Sequence, residues 1–158
     1  MAQVLGESML KNYLFTVAFT AALLCSFSSL SAASLVESYV VRVIDGDTLE
    51  LQNKEKVRML GIDAPESRPN ERIKRQAETY QLSESVLLAR GLKAKNRLKD
   101  LVEGKKITIL RQGKDKYGRT LGWIFNDKLV NLQLIEECLV WPYEKKGSLN
   151  QVYEEVCK

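Results

Sequence analysis

Three short stretches of this chain gather residues able to do chemistry on an anion. Asp45-Gly46-Asp47-Thr48 sets two carboxylates two positions apart, across a glycine that permits a sharp turn. Arg58-Met59-Leu60-Gly61-Ile62-Asp63-Ala64-Pro65-Glu66 opens on an arginine in a run that reads as buried. That is an expensive place for a cation unless it meets an anion. Two further acids, Asp63 and Glu66, flank the turn that Pro65 enforces. Asp115-Lys116-Tyr117-Gly118-Arg119 packs basic, aromatic and glycine residues into one turn. A guanidinium beside an aromatic ring suits a phosphate next to a base or sugar. Carboxylates from the first two stretches, with a free backbone carbonyl, form a set of hard oxygen ligands of the kind that suits calcium or magnesium. Each stretch alone also has an ordinary reading, as a turn between strands, a pair of solvated acids or a charged loop.

Composition narrows what such a site can do. Among 158 residues there are 24 Lys+Arg, 20 Asp+Glu, three Cys and no histidine. Serine–histidine and cysteine–histidine catalysis and histidine-ligated zinc are excluded, so proton transfer must fall to carboxylates, lysine, tyrosine or bound water. The net charge of +4 permits an anionic partner without requiring one. A hydrophobic content of 45% is enough for one domain with a core of its own.

Elements that would position these stretches follow from the pattern along the chain. Residues 38–44, 48–51 and 57–62 read as strands, the first two joined at the Asp45–Asp47 turn. Residues 67–90 read as an extended, exposed loop with at most a frayed helix. Leu87, Leu88, Leu92, Leu98, Leu101 and Val102 then share one helical face, and Gly104 ends that helix. Two more strands, over 106–110 and 121–125, precede a short helix over 130–139 and a last helix beginning at Ser148. Five short antiparallel strands with a helix between the third and fourth predict an α+β, mainly β fold. Its core would be a five-stranded Greek-key OB barrel with about three helices.

The N-terminal region carries a different signal. Residues 12–36 contain no charge, Lys11 precedes them, and Ser31-Ala32-Ala33 supplies small residues at the exit. Residues 1–33 are therefore expected to be a signal peptide cleaved after Ala33, with residues 34–158 as the domain and a secreted or periplasmic destination. An uncleaved membrane anchor is the alternative; otherwise no stable membrane association is expected. Glu7 is odd in such a segment and would be explained by a start at Met9. Cys138 and Cys157 remain in the domain, either as a disulfide or as two free thiols.

Taken together and in this order, the three stretches resemble the staphylococcal nuclease (thermonuclease) family, over about residues 39–143. The resemblance implies a calcium-dependent nuclease that hydrolyses DNA and RNA with low sequence specificity, leaving 3′-phosphate ends. It implies one calcium ion held by Asp47, Asp63 and the carbonyl of Ala64, with Asp45 near it in an outer shell. By the same resemblance Glu66 takes the place of the general base, and Arg58 and Arg119 hold the scissile phosphate. Lys116 and Tyr117 match residues contacting a neighbouring phosphate, and Tyr143 lies near where a tyrosine packs by the nucleotide. The protein is expected to be a monomer. The segment from Glu66 to Gly91 is longer than in familiar members, by roughly a dozen residues. It is expected either to form a mobile flap adding phosphate contacts or to be a solvated insertion. The rival function is a catalytically inactive OB module of this family that binds nucleic acid or protein.

Overall fold

One long strand organises the barrel. In the computed structural model, which describes residues 34–144 and 146–158, β1 (Ser34–Asp45) pairs with two partners in succession. Its first half runs antiparallel to β5 (Lys106–Lys114), from Ser34 opposite Arg111 to Tyr39 opposite Lys106. Its second half runs antiparallel to β2 (Thr48–Leu51), with register shifts between Val40 and Arg42 and between Val43 and Asp45. Such irregularities bend a strand and increase its twist, which lets one strand serve two sides of a barrel. The segment expected to be a signal peptide, with the Ala33 cleavage site and Met9, lies outside the described residues.

The sheet order is β3-β2-β1-β5-β6, where β3 is Lys56–Met59 and β6 is Thr120–Asn126, and β3 also pairs with β6 to close the ring. That closing pair is parallel, with Arg58 opposite Leu121 and Met59 opposite Gly122. The all-antiparallel expectation fails only there. β3 and β6 are joined through a short strand, two helices and β5, so no hairpin constrains their direction and ring closure sets it. The strand expected over 57–62 is divided. Gly61, with φ +73°, breaks it, and Ile62–Asp63 forms β4, which pairs with β8 (Trp141–Pro142) in a separate two-stranded sheet. β7 (Lys128–Leu129) turns back onto β6 at Asn126-Asp127.

Residues 67–90 are not an extended loop. They hold α1 (Glu71–Tyr80) and the first turns of α2 (Glu84–Val102), which with α3 (Val130–Glu136) and α4 (Ser148–Cys157) makes four helices among the described residues. The Asn70 side chain caps α1 by accepting from the N–H groups of Arg72 and Ile73, and Glu71 adds a favourable charge in the first turn. Only Ile73, Ala77 and Tyr80 line its apolar side, too sparse a stripe to stand out among so many charges. Nor is α1 a loose flap. Ile73 is buried with Leu87 and Trp141, and the Tyr80 ring stacks on Trp141 at 3.7 Å between centroids. Burial raises the Tyr80 pKa, and the nearby Asp63 carboxylate raises it further.

Ala94, Leu98 and Val102 recur every four residues along α2 and close one end of the barrel. They meet Leu49, Leu51, Val57, Met59, Ile107, Ile109 and Ile124 from the strands, with Val130, Leu134 and Ile135 from α3. Each such side chain contributes about 1.5–3 kcal/mol when removed from water. The question of the cysteines is settled by a Cys138–Cys157 disulfide, which ties the end of α4 to the second residue past α3. It closes a loop of sequence separation 19. Replacing both cysteines with serine is expected to lower unfolding free energy by about 3 kcal/mol in denaturant titration, with the far-ultraviolet spectrum of the barrel retained.

Candidate active site

The turn between β1 and β2 delivers Asp47 into the protein rather than to solvent. Its Oδ1 accepts from the Thr48 hydroxyl at 2.8 Å, and its Oδ2 accepts from the Ala64 N–H at 2.8 Å. Arg58, directly opposite Thr48 in the β2–β3 register, reaches back to form an ion pair with Asp47. Its other terminal nitrogen donates to Asp63 Oδ1 at 2.8 Å. Arg58 is only 8% exposed, so this is a buried cation held between two acids, as its position in the strand demanded. Gly46 is required here by space. A Cβ on it would lie 2.8 Å from the Ala64 Cβ and 2.9 Å from the Ala94 Cβ.

Glu66 forms the opposite wall and is held mainly from α1. Its Oε1 pairs with an Arg72 terminal nitrogen at 2.8 Å, and its Oε2 accepts from Asn70 Nδ2 at 2.5 Å. Arg72 also pairs with Asp63 Oδ1. Gln76, one turn further along α1, accepts the Glu66 N–H at 3.0 Å and donates to the Ala64 carbonyl at 3.0 Å. Beneath this segment runs α2, whose Gly91 leaves room for it. A Cβ there would fall 2.2 Å from the Glu66 carbonyl oxygen and 2.7 Å from that of Pro65.

Arg119 completes the site from the third stretch. Asp115 holds it by accepting from its Nε at 2.7 Å and its backbone N–H at 3.0 Å, while also accepting the Tyr117 N–H at 2.9 Å. Burial works to raise the Asp115 pKa, but these donors outweigh it and hold the carboxyl below its ordinary range. Arg119 lines a cleft of about 360 Å³ together with Asp45, Asp47, Lys56, Glu66 and Arg72. Next to it lies a basin of about 660 Å³ walled by Lys54, Lys56, Arg111, Lys114, Tyr117 and Arg119. The Tyr117 ring is 72% exposed, with Lys116 Nζ 5.1 Å and the Arg119 guanidinium 5.7 Å from its centre. Asp45 turns its carboxylate onto the Gly46 N–H at 3.0 Å.

The structure thus brings Asp45, Asp47, Glu66 and Arg119 to one cleft, with Arg58, Asp63 and Ala64 directly behind it. It does not bring Tyr143 there. That side chain is exposed beyond β8, lines neither depression, and is fixed through its backbone N–H to Gly61. Asn70, Gln76 and Gly91 were missed from sequence. The available signals were the helix cap at Asn70 and the four-residue spacing of Arg72 and Gln76, which sets both on one face of α1.

Among the described residues, no three acidic or cysteine side chains form a ready-made metal cage. Guanidinium groups intervene, Arg58 between Asp47 and Asp63, and Arg72 between Asp63 and Glu66. The donor chemistry nevertheless fits a hard divalent cation, since carboxylates and a carbonyl are what converge. Burial lowers the Arg72 pKa, but the charges of Asp63, Glu66 and Asp47 more than offset it and raise it overall.

Residues 56–158 match the family described as staphylococcal nuclease homologue. The chain belongs to the staphylococcal nuclease family. The matched range includes Arg58, Asp63, Glu66 and Arg119 and leaves the Asp45–Thr48 turn ahead of it. The chain is 36% identical over 138 residues to an uncharacterized endonuclease of Haemophilus influenzae, covering 83% of this chain and 66% of that protein. It is 35% identical over 111 residues to the thermonuclease of Staphylococcus intermedius, covering 65% and 58%. With a micrococcal nuclease of Shigella flexneri it shares 29% over 160 residues, covering 92% and 81%. The chain spans slightly less than two thirds of the Haemophilus protein's length.

Two outcomes follow for the fold around this site. Gly91→Ala is expected to cost about 1–3 kcal/mol in a denaturant titration, because the added methyl must displace the Pro65–Glu66 backbone. Since the Asp115 carboxyl is held low, its stabilisation of the 115–119 turn is complete above the ordinary carboxylate pKa. It is lost as pH falls through the lowered value, so the Tyr117 and Arg119 amide resonances should titrate with a midpoint below that of an ordinary aspartate.

Proposed function

We propose that the protein is an exported, calcium-dependent nuclease cutting phosphodiester bonds of DNA and RNA with little sequence preference. The observation that carries this reading is the constellation of two guanidiniums, Arg58 and Arg119, around three acids, Asp47, Asp63 and Glu66, beside a cleft open to a polymer. Family membership and the nuclease names of its relatives support it. Export is supported by the uncharged N-terminal run and by the Cys138–Cys157 disulfide, a bond that persists in oxidising compartments.

Asp47, Asp63 and the Ala64 carbonyl would hold the calcium ion, with Asp45 in an outer shell. Bound there, the ion supplies positive charge that stabilises the pentavalent phosphoryl transition state. Arg119 offers paired N–H donors to the phosphoryl oxygens as negative charge gathers on them, and Arg58, its terminal nitrogens on Asp47 and Asp63, adds positive charge from behind those acids. Glu66 takes the proton from the attacking water, the role a histidine would otherwise fill. Its two oxygens are already oriented by Arg72 and Asn70, so little reorganisation accompanies that transfer. By family resemblance the 5′-oxygen leaves, giving 3′-phosphate ends. Lys116 and Tyr117, beside the basic basin, are placed to meet the adjoining phosphate and base.

Release of acid-soluble nucleotides from DNA and RNA tests this directly. Activity is expected with calcium and none with chelator. Glu66→Gln should lower the rate by about 10²–10⁴-fold, and Arg119→Lys by about 10²–10³-fold because a lysine cannot present a fork. No cleavage by the intact chain would favour the inactive binding module instead. Cleavage that survives chelation would remove the metal from the mechanism.

A further inference from the structure

The inserted helix α1 is the one part of the site that the proposed reaction leaves without a full account. It is docked by Ile73 and by the Tyr80–Trp141 stack, so the side chains on its inner face are held in place. Three of them, Asn70, Arg72 and Gln76, spend their polar atoms on Asp63, Ala64 and Glu66. Arg72 is the unusual member, because it places a positive charge between a carboxylate that would hold calcium and the carboxylate that would accept a proton.

We infer that Arg72 is the site's resident counter-cation, and that a divalent ion must displace its guanidinium from Asp63 in order to bind. This rests on the calcium-dependent reading above. Two cations share Asp63 Oδ1, and they are not equally free to leave. The Arg58 side chain is 10% exposed and also holds Asp47, so it is locked in the barrel wall. The Arg72 side chain is 41% exposed and lines the open cleft, so an ion arriving from solvent meets it first. Displacement need not free Arg72 altogether. Its other terminal nitrogen stays on Glu66 Oε1, where with Asn70 it keeps that carboxylate aimed. Arg72 is therefore a positioning residue for Glu66 and a competitor for the metal at Asp63. The same contact neutralises two largely buried acids when no metal is bound, where mutual repulsion would otherwise loosen the segment.

Calcium titration by calorimetry, without nucleic acid, separates this from a merely structural role. Arg72→Gln removes the charge and is expected to tighten calcium binding by about tenfold, since an opposing charge within a few ångströms has that order of effect. The metal-free variant should melt at a lower temperature than the unaltered protein, and saturating calcium should narrow the gap. Arg75→Gln, on the exposed side of α1, should change neither quantity. Should Arg72→Gln fail to fold, Arg72→Lys serves, because a single ammonium cannot bridge both acids and should tighten binding by a smaller factor. Unchanged or weaker calcium binding in a folded Arg72 variant would overturn the inference alone. Absence of calcium binding by the unaltered protein would overturn it together with the metal-dependent reading.

Discussion

Everything at this site depends on one buried guanidinium. Arg58 sits in the barrel wall with Asp47 on one side and Asp63 on the other, and each acid belongs to a different piece of backbone. Asp47 ends the tight turn before β2, whereas Asp63 lies on β4, past the break at Gly61. A cation so deeply buried is tolerable only with both acids present, and two acids so close need a cation between them. The ion pairs therefore fix the distance between the turn and β4 before any ligand arrives. The Ala64 N–H on Asp47 adds a third tie between the same two segments.

A second layer then sets Glu66. The barrel supplies the guanidinium–carboxylate centre, but the glutamate lies on irregular chain that nothing in the sheet controls. Two helices control it instead. α2 passes underneath so closely that only glycine is accommodated at position 91, and α1 grips from the side through Asn70, Arg72 and Gln76. The segment after Glu66 thus does structural work for an acid just before it, and its own anchor is an aromatic stack against the strand that pairs with Asp63.

Much of this was legible in the sequence because strands and clustered charges leave local marks. The Asp45–Asp47 turn, the arginine in an apolar run and the Asp115–Arg119 loop each betray themselves within a few residues, and their order identified the barrel. Helix α1 did not, because its apolar stripe is only Ile73, Ala77 and Tyr80 in a strongly charged sequence, and its stability comes from tertiary packing of those three. Asn70 could have been found as a cap. The role of Gly91 could not, since it depends on backbone from elsewhere in the chain coming within contact. Tyr143, which the resemblance sets near the nucleotide, is exposed just past β8 and lines neither depression, a matter of tertiary placement that its position along the chain does not carry. The cysteines were open for a similar reason, as only the packing of α4 on α3 brings them together.

The parallel pairing that closes the barrel has a consequence in time. Arg58 lies opposite Leu121, so the wall bearing the first arginine is complete only when the strand just after the second arginine is in place. A chain emerging from its N-terminal end can form the β1–β2–β3 meander early, yet it has neither ring closure nor Arg119 until β6 has been made. Contacts this distant in sequence form late and slowly. The two guanidiniums therefore come together in a single late event, and a partly synthesised chain holds the acids of the site without the second of its arginines.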